Sequence, residues 1–100
     1  MDFHAFQTSL SASRPPADID VYLRALWYDG KGDWDRAHGL VDDLEDKTAT
    51  RIHAYLHRKE GDQSNARYWY ARSATHMPHY SLDKEWEELV KELLERSVSN

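Results

Sequence analysis

The sequence predicts an all-α protein of about five helices, and the spacing of its apolar residues and helix breakers supports this. Apolar side chains recur every three and four residues over most of the chain, which places them on one face of a helix. The residues that interrupt helices fall between these stretches, at Pro15, Pro16, Gly30, Gly32, Gly61 and Pro78. The chain contains neither a β-branched run nor a sustained apolar/polar alternation, as strands would require.

Length and composition fit one folded domain. One hundred residues with a hydrophobic content of 40% form too apolar a chain to be disordered. The absence of cysteine excludes disulfides, thiolate zinc sites and a cysteine nucleophile. The first residues lack the character of a secretory signal, and no stretch approaches the ~20 apolar residues of a membrane span. We therefore expect a cytoplasmic protein that does not bind membranes. The net charge of −5 argues against a nucleic-acid partner.

The first two helices of the body are bounded by recognisable start and stop residues. One is predicted over residues 17–28, after the two prolines and before Gly30. Its apolar face consists of Ile19, Tyr22, Leu23, Leu26 and Trp27. The second follows Asp33, which is a good N-cap. Its apolar positions are Trp34, Ala37, Leu40, Val41 and Leu44.

Three further helices complete the body. The third begins between residues 46 and 48, the fourth after Gly61, and the fifth at Ser81. Asp83 and Glu85 lie in the first turn of the fifth helix, where the helix dipole favours anions. The apolar positions are Ala49, Ile52, Tyr55 and Leu56 in the third helix, Ala66, Trp69, Tyr70 and Met77 in the fourth, and Leu82, Trp86, Leu89, Val90, Leu93 and Leu94 in the fifth.

An N-terminal segment, residues 1–16, precedes the body at residues 17–98. Phe3, Phe6 and Leu10 share the face of a short helix. One interpretation is a sixth helix or an arm packed on the body, and the other is an internal plug that lies in a binding groove. We favour the first, because a free terminus is usually either disordered or simply packed down.

An internal repeat is the strongest feature of the sequence. Residues 25–37 and 54–66 share one frame, in which an alanine, six residues, Gly-Asp, three residues and a second alanine follow in order. The offset between the copies is 29 residues. A period of this size indicates stacked helical units, none of which can bury its apolar face alone.

The frame resembles the tetratricopeptide repeat (TPR). The second copy matches best, through Ala54, the Gly61 turn, Ala66, Tyr70 and the closing Pro78. The first copy departs from the family pattern because about five residues and the closing proline are missing. Both copies also lack the leucine that the family has before the first alanine, and carry Arg24 and His53 there instead. The resemblance implies a right-handed array of helical hairpins, with repeats over residues 17–45 and 46–78 and a capping helix over 81–98.

The resemblance also implies a function, because the first helix of each TPR unit lines a concave groove that binds peptides. Carried over by position, this predicted groove is lined by Tyr22, Leu26, Arg51, Tyr55, Arg58 and Lys59. Its basic part suits a protein or peptide partner with an acidic segment. The alternative is an ordinary solvated charged face.

Self-association is the runner-up function. The amphipathic final helix, residues 82–94, offers an apolar stripe through which two copies would form a homodimer. Catalysis has little support, because the sequence contains no phosphate-binding glycine loop, nucleophile elbow or recognisable triad. We therefore expect no enzyme activity and no cofactor.

Two smaller motifs have simpler structural explanations. His53 and His57 are four residues apart on one helix face, as two zinc ligands would be, but two certain neighbours are too few and a packed pair is the simpler interpretation. The segment from Arg67 to Arg72 interleaves basic and aromatic residues, as in single-strand binders. Core packing of Trp69 and Tyr70 explains it better.

Overall fold

The computed structural model describes residues 1–98, and these form six α-helices with no strand in that range. The helices are α1 (Phe3–Ser9), α2 (Val21–Gly30), α3 (Trp34–Val41), α4 (Lys47–Lys59), α5 (Gln63–Arg72) and α6 (Leu82–Val98). The all-α prediction is confirmed, and the N-terminal segment does contain a sixth helix. No described helix has the length and apolarity required to cross a membrane.

Aspartate side chains determine where most of the helices begin. Each accepts a hydrogen bond from the backbone N–H three residues further on, which satisfies one of the four N–H groups that a helix start leaves unpaired. The capping residues of α1 to α5 are Asp2, Asp20, Asp33, Asp46 and Asp62. Ser81 plays the same part for α6, accepting from Lys84 N at 3.1 Å.

The two copies of the repeat frame fold into matching turns. Gly32 and Gly61 have φ angles of +85° and +90°, a left-handed conformation that glycine adopts without steric cost. The N–H of the following aspartate then bonds back to the preceding helix, Asp33 to Tyr28 O at 2.9 Å and Asp62 to His57 O at 3.0 Å. The frame therefore specifies one local structure twice.

Small residues allow consecutive helices to pack closely. α2 packs against α3 and α4 against α5, and α3 also contacts α4. The four alanines of the repeat frame, Ala25, Ala37, Ala54 and Ala66, are completely buried. A main core of α1, α2, α3, α4 and α6 residues surrounds Trp27 and Leu56, while Ala54, Ala66 and Tyr70 form a smaller cluster.

The last helix lies across the first helices of both units. α6 packs against α2, α4 and α1, and it buries Leu89, Val90 and Leu93 against them. Trp86 Nε1 donates to Leu26 O at 2.9 Å and fixes the crossing. α6 also reaches α5, through the hydrogen bond that Tyr70 OH donates to Glu85 Oε2.

Three helices are shorter than the sequence indicates. α2 begins at Val21 rather than at residue 17, because Asp20 supplies the N-cap. α5 ends at Arg72, before the predicted apolar position Met77, and Ala74 then takes a positive φ of 61° that ends the helical path. Leu44 also lies beyond the end of its predicted helix, α3.

Candidate functional site

Four residues of the predicted groove, Leu26, Arg51, Tyr55 and Arg58, lie beneath α6 or in the core, whereas Lys59 is exposed and Tyr22 is partly exposed. Leu26 and Tyr55 are buried, with 0% and 2% of their surface exposed. Arg51 and Arg58 point to Glu85 of α6, whose side chain is completely buried. The basic residues of the predicted groove therefore form ion pairs within the chain. The expectation was that they face an open concavity.

Glu85 is the centre of this buried polar network. Arg51 Nη1 donates to its Oε2 at 2.6 Å and Arg58 Nη1 to its Oε1 at 2.7 Å. Tyr70 OH donates to Oε2 at 2.6 Å. Burial, and next the hydrogen bond to Glu85, raise the pKa of Tyr70. The phenol therefore remains a donor, and the carboxylate has partners for both of its oxygens.

A second buried carboxylate, Asp29, engages two more residues of the predicted groove. Tyr55 OH donates to its Oδ2 at 2.6 Å, and Lys59 Nζ donates to its Oδ1 at 2.8 Å. Burial and the charge of Asp29 raise the pKa of Tyr55. Tyr22 bonds to Asp46 Oδ2 at 2.9 Å at the surface. A cavity of about 390 Å³, lined in part by Tyr55 and Lys59, remains between α1, α2, α4 and α6.

The apolar stripe of α6 is also used within the chain. Leu89, Val90, Leu93 and Leu94 are at most 7% exposed and belong to the main core. The final helix is thus already packed on its own chain, and the surface on which a homodimer was expected is covered.

Three histidines converge between α3 and α4, and we call them the histidine cluster: His38, His53 and His57. His38 Nε2 lies 2.9 Å from His53 Nε2. One ring nitrogen from each residue can be chosen so that all three lie within 4.8 Å of one another. His53 and His57 are 3% and 8% exposed, and His38 is half-buried.

Tryptophans enclose the histidine cluster on two sides. Trp34 stacks on His38 with the ring centroids 4.8 Å apart, and Trp69 stacks on His53 at 4.1 Å. Trp34 is itself fixed, because its Nε1 donates to Leu56 O at 2.8 Å. Rings held in this way lose little further freedom when they bind a ligand.

Two carboxylates lie beside the cluster, and one of them affects the pKa of His53. Glu60 Oε1 lies 2.6 Å from His57 Nδ1, and the exposed Asp42 lies 3.8 Å from His38 Nε2. The pKa of His53 is lowered to about 4, first by burial and then by His38 and His57, while Asp42 opposes the shift. His53 is therefore neutral at physiological pH.

The sequence indicated only part of this cluster. His53 and His57 stand out by their spacing, and the structure buries both, as expected. His38 was missed because it lies on another helix. The available signal was that His38 lies four residues after Trp34 and three before Val41, both of which belong to the predicted apolar face of that helix.

Residues 63–79, which comprise α5 and the segment after it, contain no acidic side chain. We use the name α5 face for five exposed residues of this stretch: Arg67, Tyr68, Arg72, His76 and His79. Tyr68 is 54% exposed, and the Arg72 guanidinium lies over its ring at 5.9 Å. A groove of about 680 Å³ runs along Arg67, His76 and His79. Within residues 1–98, neither arginine of this face forms an ion pair with a carboxylate.

Comparison of the chain with protein-family models, with curated proteins and with solved structures finds no match.

Proposed function

We propose that this chain is a TPR-like helical module that binds a protein partner through the α5 face and has no catalytic role of its own. The partner contributes an acidic segment, and the encounter takes place in the cytoplasm. The observation that carries the proposal is that Arg67 and Arg72 are exposed and have no carboxylate partner within the described part of the chain, although the net charge is −5.

The matching turns support the TPR-like part of the proposal. Gly32 and Gly61 take the same left-handed conformation, and the aspartates after them cap α3 and α5 in the same manner. Buried alanines occur at equivalent positions of both units. These are the properties that helical-hairpin repeats need in order to stack.

We place the binding surface on the α5 face rather than in the predicted groove because α6 covers that groove. The arginines of the predicted groove are paired with Glu85, so a partner would have to displace a helix that supplies much of the core. The α5 face requires no such displacement. Its tyrosine and arginines offer flat contact area and charge-assisted hydrogen bonds to carboxylates.

Chemistry favours an acidic segment as the occupant. Guanidinium groups bind carboxylates in a planar, two-pronged geometry, and among residues 1–98 no carboxylate forms an ion pair with Arg67 or Arg72. His76 and His79 also line the groove, and their ring nitrogens offer further polar atoms to a partner. Charge attraction would also accelerate the encounter and make it sensitive to salt.

The test compares three baits in a pull-down from the source cells. They are the natural chain, an Arg67→Glu/Arg72→Glu variant, and an Arg14→Glu/Lys47→Glu control in which two other exposed cations are reversed. Both variants carry the same net charge, so a difference between them reflects position alone. Circular dichroism establishes that each bait is folded.

We expect a partner that is held by the natural chain and the control and released from the α5 variant. The purified pair should then bind less tightly as salt is raised. If all three baits capture the same proteins, the α5 face is not the binding surface. If light scattering shows only a doubled mass and no other protein is captured, self-association replaces the proposal.

A further inference from the structure

The histidine cluster has a chemistry that the proposed function does not use. It lies between α3 and α4, whereas the α5 face lies on the outside of α5. Its members are imidazoles, which suit zinc, copper and nickel as ligands. We propose that His38, His53 and His57 form a binding site for a divalent transition metal ion of the zinc type.

The distance between the first two histidines supports a shared ion. With Zn–N bonds of about 2.0–2.1 Å, neighbouring ligand nitrogens of a tetrahedral site lie about 3.3 Å apart. His38 Nε2 and His53 Nε2 are 2.9 Å apart, so a few tenths of an ångström of ring movement would admit the ion. Without a metal, the two nitrogens must share one proton, because two N–H groups cannot face each other at this distance.

His57 is the third ligand, and Glu60 orients its ring. The carboxylate of Glu60 accepts the Nδ1 proton of His57 at 2.6 Å, which leaves Nε2 with its lone pair free for a metal. Histidines that ligate metals usually donate their second ring N–H to a carboxylate in this way. Glu60 is therefore the outer-shell residue of the site rather than a ligand.

The exposed side of the cluster can supply the fourth ligand. Asp42 Oδ1 lies 3.8 Å from His38 Nε2, and its side chain is free to approach or to leave the position to water. Three protein nitrogens with one such position is the arrangement of zinc sites that exchange a ligand. A competing set, His57 with Glu60 and Asp62, fits less well, because Asp62 caps α5 and Glu60 already holds the His57 ring.

The first experiment is a titration of the natural chain with Zn²⁺, followed by calorimetry and by NMR of the imidazole nitrogens. We expect one ion per chain, with the resonances of His38, His53 and His57 shifting together. This measurement needs no variant, so it does not depend on the folding of a mutant. Absence of saturable binding, or shifts confined to His76 and His79, would overturn the proposal.

Variants then identify the ligands. His38→Gln removes one ligand at a half-buried position and should weaken Zn²⁺ binding by more than about 100-fold, while Glu60→Gln should weaken it by about 10–100-fold. The matched control, His76→Gln/His79→Gln, makes the same change at two exposed positions and should bind as the natural chain does. If His38→Gln binds Zn²⁺ as tightly as the natural chain, the site lies elsewhere.

Discussion

Glu85→Ala is the substitution that tests the packing of α6 most directly. The side chain is completely buried, and it is the shared acceptor for Arg51, Arg58 and Tyr70. Alanine removes the carboxylate and leaves two guanidinium groups facing an apolar core. α6 would then pack over unpaired charge.

The expected magnitude follows from the burial of the partners. Removing one member of a buried ion pair costs about 3–5 kcal/mol, because the other charge remains desolvated. Arg51 and Arg58 keep 19% and 16% of their side-chain surface in contact with solvent, so we expect the lower end, about 3 kcal/mol. That is a large share of the about 5–15 kcal/mol by which a domain is stable. The melting temperature should fall by about 12–24 °C.

Urea denaturation followed by circular dichroism measures this loss. Glu95→Ala is the matched control, since Glu95 is an exposed residue of the same helix and its replacement should change stability by less than about 0.5 kcal/mol. If Glu85→Ala loses no more than the control, the network contributes nothing to the docking of α6. The arginines would then count as free to bind other carboxylates, and the predicted groove would return as a binding surface.

Three further predictions concern the N-terminal helix, the repeat turns and the histidine cluster. Phe6→Ala should lower the free energy of unfolding by about 3 kcal/mol, because the ring is completely buried, and a loss below about 1 kcal/mol in urea denaturation would mean that α1 is not docked. Gly61→Ala should destabilise the fold by about 1 kcal/mol because the φ angle of residue 61 is positive, although the added methyl group meets no atom. Gly39→Ala also meets no atom but lies within α3, so it should stabilise the fold by about 0.5–1 kcal/mol. Equal effects of the two substitutions on the melting temperature would refute this argument. In a chelating buffer, the free energy of unfolding should fall by at most about 3 kcal/mol as the pH is lowered from 6.5 to about 4. The reason is that His53 takes up a proton in the unfolded chain but resists protonation in the folded one. Parallel curves of stability against pH for the natural chain and His53→Gln would contradict this.

The features that could be predicted from the sequence depend on neighbouring residues. The caps at Asp33 and Ser81 and the turns at Gly32 and Gly61 involve contacts within about five residues, so their chemistry is visible in the chain itself. The predicted start of α2 was wrong because two local start signals, the prolines and Asp20, lie close together, and Asp20 is the residue that caps the helix.

The features that could not be predicted depend on which helices meet. Periodicity shows that Leu89, Val90 and Leu93 share a face, but that face is buried equally well at the end of a repeat array or across α2 and α4. The same holds for His38, whose contact with His53 joins two helices. The family resemblance implied an open groove, but the Glu85 carboxylate fills it. Glu85 lies 27 residues beyond Arg58, so no local pattern indicates their contact.

The contact between the first and last helices has a consequence for the synthesis of the chain. Phe3 and Phe6 of α1 pack on Trp86 of α6, with ring centroids 5.8 and 6.0 Å apart. A ribosome that adds about 5–20 residues per second needs roughly 4–16 s to travel from the first partner to the second. During that interval α1 can contact α2 but lacks the Trp86 ring, which packs on Phe3 and Phe6. The nascent protein therefore leaves these two aromatic side chains partly uncovered until α6 emerges.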